Sequence, residues 1–185
     1  SERSFDARCD SVQAIIVVHG VAQAVGVIDS LLADATSDRQ RASAWTARAT
    51  AALMSANYPL GIAAAVRAAE LAQQLESPWP RFEAARLHAV GLAQAGRAIE
   101  GLAVIEAFRE QVERDGDAAQ RGHFWADCAY VLNTARRLRD TAVALERAMA
   151  NAKALGDLAE LATLTSNLAT VKGNLGNVDE ALTLA

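Results

Sequence analysis

The sequence repeats itself at an interval of forty residues, and this period limits the folds that the chain can adopt. Residues of the types that cap the N-termini of helices recur at that spacing: Ser37, Ser77, Asp117 and Asp157. Three of them are followed, three residues later, by a residue that completes a capping box: Gln40, Gln120 and Glu160. A fixed period of this length predicts a tandem array of helical units.

Small residues keep the same register. One column is expected on the first helix of each unit and contains Ala49, Ala89, Ala129 and Ala169; a second is expected on the second helix and contains Gly61, Gly101, Thr141 and Ala181. A column of mostly bulky residues accompanies them: Phe5, Trp45, Ala85, Trp125 and Thr165. Because the side chains at the contact set the distance at which two helices cross, the small columns predict closely packed antiparallel pairs.

The apolar periodicity and the turn residues give the expected helices. They are 4–19 and 22–35, 38–55 and 60–75, 79–95 and 98–114, 118–136 and 140–155, and 158–174 followed by a helix from 178 onward. The corresponding repeats are 1–36, 37–76, 77–116, 117–156 and an incomplete 157–185, within a single helical-repeat domain. Neither end offers the polar capping unit that a solenoid needs, so we expect a fragment of a longer protein.

This order of bulky residue, small residue, Leu, Gly, Glu, small residue and Leu resembles the tetratricopeptide repeat. Trp45 and Trp125 stand at its first aromatic position, whereas Arg48 replaces an expected Leu and Arg136 an expected Gly. The period is longer than the usual 34 or so residues and is similar to that of the repeats in maltose-activator-like bacterial transcription regulators. The resemblance implies an all-α, right-handed superhelix (solenoid) of antiparallel helix pairs.

Composition narrows the function classes. The formal charge of −4 supplies no excess of basic residues for a phosphate backbone, so we expect no nucleic-acid binding by this segment. Cys9 and Cys128 stand alone and indicate neither a disulfide framework nor a zinc site. No apolar run approaches the roughly 18 residues of a membrane span, and no secretory signal is visible. We therefore expect a cytoplasmic protein without membrane contact.

The sequence carries no motif for catalysis or for a cofactor. Phosphate-binding, dinucleotide-binding, nucleophile-elbow and zinc-protease patterns are all missing. His123 precedes Asp127 by one helical turn, an arrangement that is compatible with a metal ligand or a base but is more typical of a surface ion pair. Cys128 is five residues from His123, so the two side chains point away from each other on a helix. We expect a protein that is not an enzyme and has no cofactor or metal.

Binding is the function that the resemblance implies. In tetratricopeptide arrays the first helices line an inner groove, which predicts these partner-binding residues: Glu83, Arg86, Gln94, His123, Tyr130, Asn133, Ser166, Thr170 and Asn174. An ordinary solvated helix face would look similar, so both interpretations stay open. The expected partner is a protein, a peptide or a small effector.

Two functions fit such a segment. The first is interaction or signal sensing within a bacterial transcription regulator, and the alternative is a scaffold in a signalling enzyme whose catalytic domain lies elsewhere. Self-association through the uncapped ends is also expected, by way of an apolar face at Leu164, Leu168 and Leu175.

Overall fold

The computed structural model describes residues 2–184, which form twelve α-helices and no strand. The chain divides into two compact units, one up to Ala95 and one from Gly96 onward. Among residues 2–184, no helix has both the length and the apolar character that crossing a membrane requires.

The first unit contains six helices. They are α1 (Glu2–Asp10), α2 (Val12–His19), α3 (Val21–Asp34), α4 (Asp38–Met54), α5 (Tyr58–Ala72) and α6 (Trp79–Gln94). α4 packs on α5, α5 on α6, and α4 also contacts α6. Each second helix therefore lies between the first helix of its own pair and the first helix of the next, as expected for stacked pairs.

The second unit contains the other six helices. They are α7 (Ala98–Glu106), α8 (Arg109–Asp115), α9 (Ala118–Thr134), α10 (Leu138–Leu155), α11 (Leu158–Asn174) and α12 (Val178–Leu184). α9 packs on α10, α10 on α11 and α11 on α12, while α7 contacts α9. This is the same arrangement of pairs as in the first unit.

Three of the four expected N-caps are confirmed. The side chains of Ser37, Asp117 and Asp157 accept hydrogen bonds from the backbone N–H three residues later, at 3.2, 2.8 and 3.0 Å. At Asp117 the backbone N–H also donates to Oε1 of Gln120 at 2.9 Å, which closes a complete capping box. The forty-residue period therefore sets where α4, α9 and α11 begin.

The expected cap at Ser77 is wrong. α6 begins at Trp79, and Pro78 occupies the cap position without a side-chain hydrogen bond. The cause lies three residues after Ser77, where Pro80 has no N–H to donate to a capping side chain. Pro80 instead sits in the first turn of α6, where a missing N–H costs little.

The turn inside each pair repeats in the backbone. Ala56, Gly96, Arg136 and Gly176 have φ of 56°, 80°, 61° and 85°, in the left-handed region, and they are spaced forty residues apart. The residue after each of them stands directly before the next helix. Arg136, expected as a departure from glycine, therefore keeps the glycine conformation at a cost that glycine does not have.

The small-residue columns lie where helices cross closely. Ala49, Ala89 and Ala129 are buried on first helices, and Gly61, Gly101 and Thr141 are buried on second helices. A Cβ added to Gly61 of α5 would lie 2.5 Å from Cδ2 of Leu53 on α4. Close packing of the pair therefore depends on the missing side chain at this position.

Two expected helices are interrupted. The helix expected over 4–19 is divided at Ser11, whose Oγ donates to the carbonyl of Arg8 at 2.8 Å. The helix expected over 98–114 is divided at Ala107 and Phe108, where the N–H of Phe108 bonds to Ile105 O, three residues back. No Gly or Pro marks the second break, so the sequence carries no local signal for it.

The apolar side chains that were expected to be uncovered near the end of the second unit are not the ones that the structure exposes. Leu164 and Leu168 are buried and Leu175 is half-buried, since α11 packs between α10 and α12. The exposed apolar side chains are instead Leu155, Leu158, Val178 and Leu182. Self-association through this region stays a prediction.

Candidate binding site

The helix α9 has one buried and one exposed face. Its buried side carries Phe124, Trp125, Cys128, Ala129, Val131 and Leu132. His123, Tyr130 and Asn133 are exposed, and they follow one another at the seven- and three-residue steps of a helix stripe. Tyr130 is 43% exposed, and its side chain has no hydrogen-bond partner within residues 2–184. We call His123, Tyr130 and Asn133 the α9 face.

Packing on the opposite side holds α9 in place. The Trp125 ring lies between two guanidinium groups, those of Arg109 at 4.5 Å and Arg147 at 4.3 Å from its centroid. Arg109 also bonds to Glu106, and its pKa is raised by that bond, while Arg147 pairs with Glu113 at 3.3 Å. These contacts connect α9 to α7, α8 and α10, so the α9 face is presented by a supported helix.

The helix α11 presents an uncharged polar stripe. Ser166, Thr170 and Asn174 are exposed, whereas Leu164, Leu168 and Val171 on the other side are buried. The Oγ1 of Thr170 donates to the carbonyl of Ser166 at 3.1 Å. The side chains of Ser166 and Asn174 have no hydrogen-bond partner in the described range. We call Ser166, Thr170 and Asn174 the α11 face.

A lysine anchors α11 from its other side. Nζ of Lys172 lies 3.3 Å from Glu146 of α10 and 2.9 Å from Glu180 of α12. Both contacts raise the pKa of this lysine. The charge of Lys172 is thus paired with neighbouring helices, and the α11 face itself is uncharged.

The expected site residues of α6 have a different environment. Glu83, Arg86 and Gln94 are half-buried, and the Arg86 side chain is only 18% exposed. Nη1 of Arg86 donates to Glu83 at 2.7 Å, and its guanidinium lies 5.9 Å from the centroid of the Phe82 ring. Oε1 of Gln94 is buried without a hydrogen-bond partner among the described residues. These three residues belong to the first unit, whereas α9 and α11 belong to the second.

The second unit also contains a cleft that the sequence did not indicate. It has a volume of about 410 Å³ and is lined by Gly96, Arg97, Ala98, Ile99, Glu100, Thr134, Ala135 and Arg136. Two turns of the forty-residue register meet here, the one before α7 and the one after α9. The sequence feature found at the cleft is the arginine at a position where the repeat expects glycine, which by itself does not indicate a cleft.

The groups that could support catalysis are kept apart. Cys128 is fully buried, and burial raises the pKa of its thiol, whereas His123 is exposed on the other side of α9. No group of three or more His, Cys, Asp or Glu side chains that could hold a metal ion occurs in the described part of the chain. The Cys128 thiol and the His123 imidazole therefore do not face each other on α9.

Known proteins match this chain in fold and not in sequence. No protein-family model and no curated protein matches the sequence. The solved structure of apo RapI matches with a TM-score of 0.78 at 11% identity, covering 98% of this chain and 67% of RapI. PlcR of Bacillus thuringiensis, solved in complex with the peptide PapR7 and DNA, gives 0.81 at 12% identity, covering 98% of this chain and 68% of PlcR.

A third similar structure is an array of repeats. The kinesin light chain TPR-like repeats of Podosopora anserina match with a TM-score of 0.73 at 14% identity, covering 96% of this chain and 89% of that one. At these identities the likeness concerns the fold. The chain therefore has the all-α, tetratricopeptide-like helical-repeat fold that its sequence resembles.

Proposed function

We propose that this chain is a non-catalytic helical-repeat segment that binds a peptide or protein partner through the α9 and α11 faces. The proposal rests chiefly on Tyr130, an exposed aromatic residue on a helix whose other side is buried; its hydroxyl has no hydrogen-bond partner among the described residues. Tyrosine offers apolar area and a hydrogen bond with few rotatable bonds, and it is enriched among residues that dominate binding energy.

The α11 face adds groups suited to a peptide backbone. The hydroxyl hydrogen of Thr170 is used within the helix, so its oxygen is left as an acceptor. Ser166 and Asn174 can both donate and accept. Such uncharged groups match the alternating N–H and C=O of an extended chain without requiring a charged partner.

The comparisons support a regulatory setting. PlcR was solved with a peptide bound, and it shares the fold with this chain. We propose that the chain senses a peptide within a bacterial transcription regulator and that other parts of that protein contact DNA. The net charge of −4 favours this division, because counterion release needs clustered basic residues.

A second candidate is a scaffold within a multidomain signalling enzyme. The likeness to the kinesin light chain repeats favours it, since almost the whole of that chain is matched. The complete gene distinguishes the two: a DNA-binding helix-turn-helix supports the regulator, and a catalytic domain supports the scaffold.

Peptide selection tests the binding function. Random displayed peptides are selected on the chain, and the affinity of a selected peptide is then measured by fluorescence anisotropy. Tyr130→Ala is expected to weaken binding at least about tenfold, because a tyrosine that the bound peptide covers carries much of the binding energy.

The matched control is Val143→Ala. Val143 is 50% exposed on α10 of the same unit, so this change also removes an exposed large side chain, and it should leave the affinity unchanged. Binding by the α9 face is contradicted if both variants lose the same amount of affinity for the peptide, or if Tyr130→Ala loses none. Circular dichroism confirms that each variant is folded.

A further inference from the structure

The cleft beside Arg136 has features that the proposed peptide-binding faces do not explain. Arg136 has φ of 61°, in the region where glycine stands at two of the other three turns of the register. A non-glycine residue in this conformation is less stable than the same residue in the right-handed region. Backbones of this kind tend to be kept where the side chain has a role.

The charge of Arg136 has no partner in the described part of the chain. Its guanidinium makes no hydrogen bond or ion pair with the residues that the structure describes. Arg97 in the same cleft is paired with Glu100, with Nε to Oε1 at 2.8 Å and Nη2 to Oε2 at 2.7 Å. The lining therefore contains one compensated ion pair and one uncompensated positive charge.

One wall of the cleft is apolar, while Thr134 adds a polar side chain. Ile99 is 68% exposed, and Ala98 and Ala135 lie beside it. An arginine binds a carboxylate through two parallel hydrogen bonds, and the neighbouring isoleucine can cover a short apolar group of the same ligand. The cleft thus combines one anion-binding group with one apolar contact.

We propose that this cleft is a second binding site that takes a small carboxylate carrying an apolar group. Arg136 binds the carboxylate, and Ile99 contacts the apolar part. The source can be a free organic acid or the C-terminal residue of a peptide, because both present the same chemistry. The site is independent of the α9 and α11 faces, so either proposal can fail without the other.

The probe is N-acetyl-leucine, which has one carboxylate and one apolar side chain. It is titrated into the ¹⁵N-labelled chain while the backbone amides of Gly96, Ile99 and Arg136 are followed by NMR. For a ligand of this size we expect a Kd on the order of a few millimolar. N-acetyl-leucinamide, which lacks the charge, should bind at least about tenfold more weakly. Equal shifts from both compounds, or no saturation by the acid, overturn the proposal.

Variants then test the role of the arginine. Arg136→Gln should weaken binding of N-acetyl-leucine at least about tenfold, whereas Arg139→Gln, which removes an exposed arginine outside the cleft lining, should not change it. Arg136→Gly should raise the urea midpoint of unfolding and abolish binding. If Arg136→Gln or Arg136→Gly binds N-acetyl-leucine as well as the wild type does, Arg136 is not the carboxylate-binding residue and the proposed site is wrong.

A peptide arm distinguishes the two sources. N-acetyl-Ala-Ala-Leu with a free C-terminus is compared with its C-terminal amide and with N-acetyl-leucine. A peptide that binds more tightly than the single residue indicates a peptide C-terminus, and weaker binding indicates a free acid. If neither carboxylate binds, the assignment of the cleft is wrong.

Discussion

The close approach of Gly61 and Leu53 predicts opposite effects of Gly61→Ala on stability. The substitution should destabilise the wild type and stabilise a variant that lacks the Leu53 side chain. A Cβ at Gly61 would lie 2.5 Å from Cδ2 and 2.8 Å from Cγ of Leu53. Ordinary contacts between carbon atoms are about 3.5–4.0 Å. Gly61→Ala must therefore displace the Leu53 side chain, which is buried.

The magnitude follows from two opposing effects. Overpacking costs about 1–3 kcal/mol, and replacing a helical glycine by alanine returns about 1 kcal/mol. We expect Gly61→Ala to destabilise the wild type by about 1 kcal/mol. Leu53→Ala removes both clashing atoms, so in that background Gly61→Ala should stabilise by about 1 kcal/mol. The coupling between the two positions is then about 2 kcal/mol.

Urea denaturation of the two single variants and the double variant measures this coupling. Gly26→Ala is the control, because its helix is in the same unit and a Cβ there meets nothing within 4 Å. It should stabilise by about 1 kcal/mol in both backgrounds. The packing account is refuted if Gly61→Ala has the same effect with Leu53 and with alanine at that position.

Three further predictions concern single positions. Ala56→Gly should raise stability by about 0.5–1 kcal/mol in urea denaturation. Glycine removes the strain of a left-handed φ of 56°, although part of this gain is lost because glycine increases the entropy of the unfolded chain. A loss of stability would show that the turn is not strained. Asp117→Ala should lower stability by about 1 kcal/mol in a thermal melt and Ser77→Ala should leave it almost unchanged, because of these two residues Asp117 caps a helix and Ser77 does not. Similar losses of stability in both variants would contradict this. Cys128 should resist alkylation at pH 8 until urea unfolds the chain, because burial raises the pKa of its thiol; rapid labelling of the folded chain, read by peptide mass spectrometry, would disprove its burial.

The pair architecture could be read from the sequence because it is locally encoded. Asp117 and Gln120 are three residues apart, and the small residues at Gly61 and Ala129 recur at the period of the repeat and are buried where helices pack. Ser77 failed as a cap because Pro80 removes the donor, which was also visible in the sequence. The break at Phe108 had no such local signal.

The candidate site was predictable to a lesser degree. Exposure of Tyr130 and Thr170 follows from helical periodicity once the buried side is known. The half-burial of Arg86 depends on tertiary packing, which periodicity does not describe, whereas its bond to Glu83 joins neighbours three residues apart on one helix. The cleft brings Ile99 together with Arg136, which is distant in sequence, so only the folded chain reveals it.

Amide chemical-shift mapping with a selected peptide tests most directly whether the α9 and α11 faces form the binding surface. The peptide is titrated into the ¹⁵N-labelled chain, and every assigned amide is followed. The account predicts the largest shifts on α9 around His123 and Tyr130 and on α11 around Ser166 and Thr170. Shifts centred instead on α10 near Val143 would contradict it.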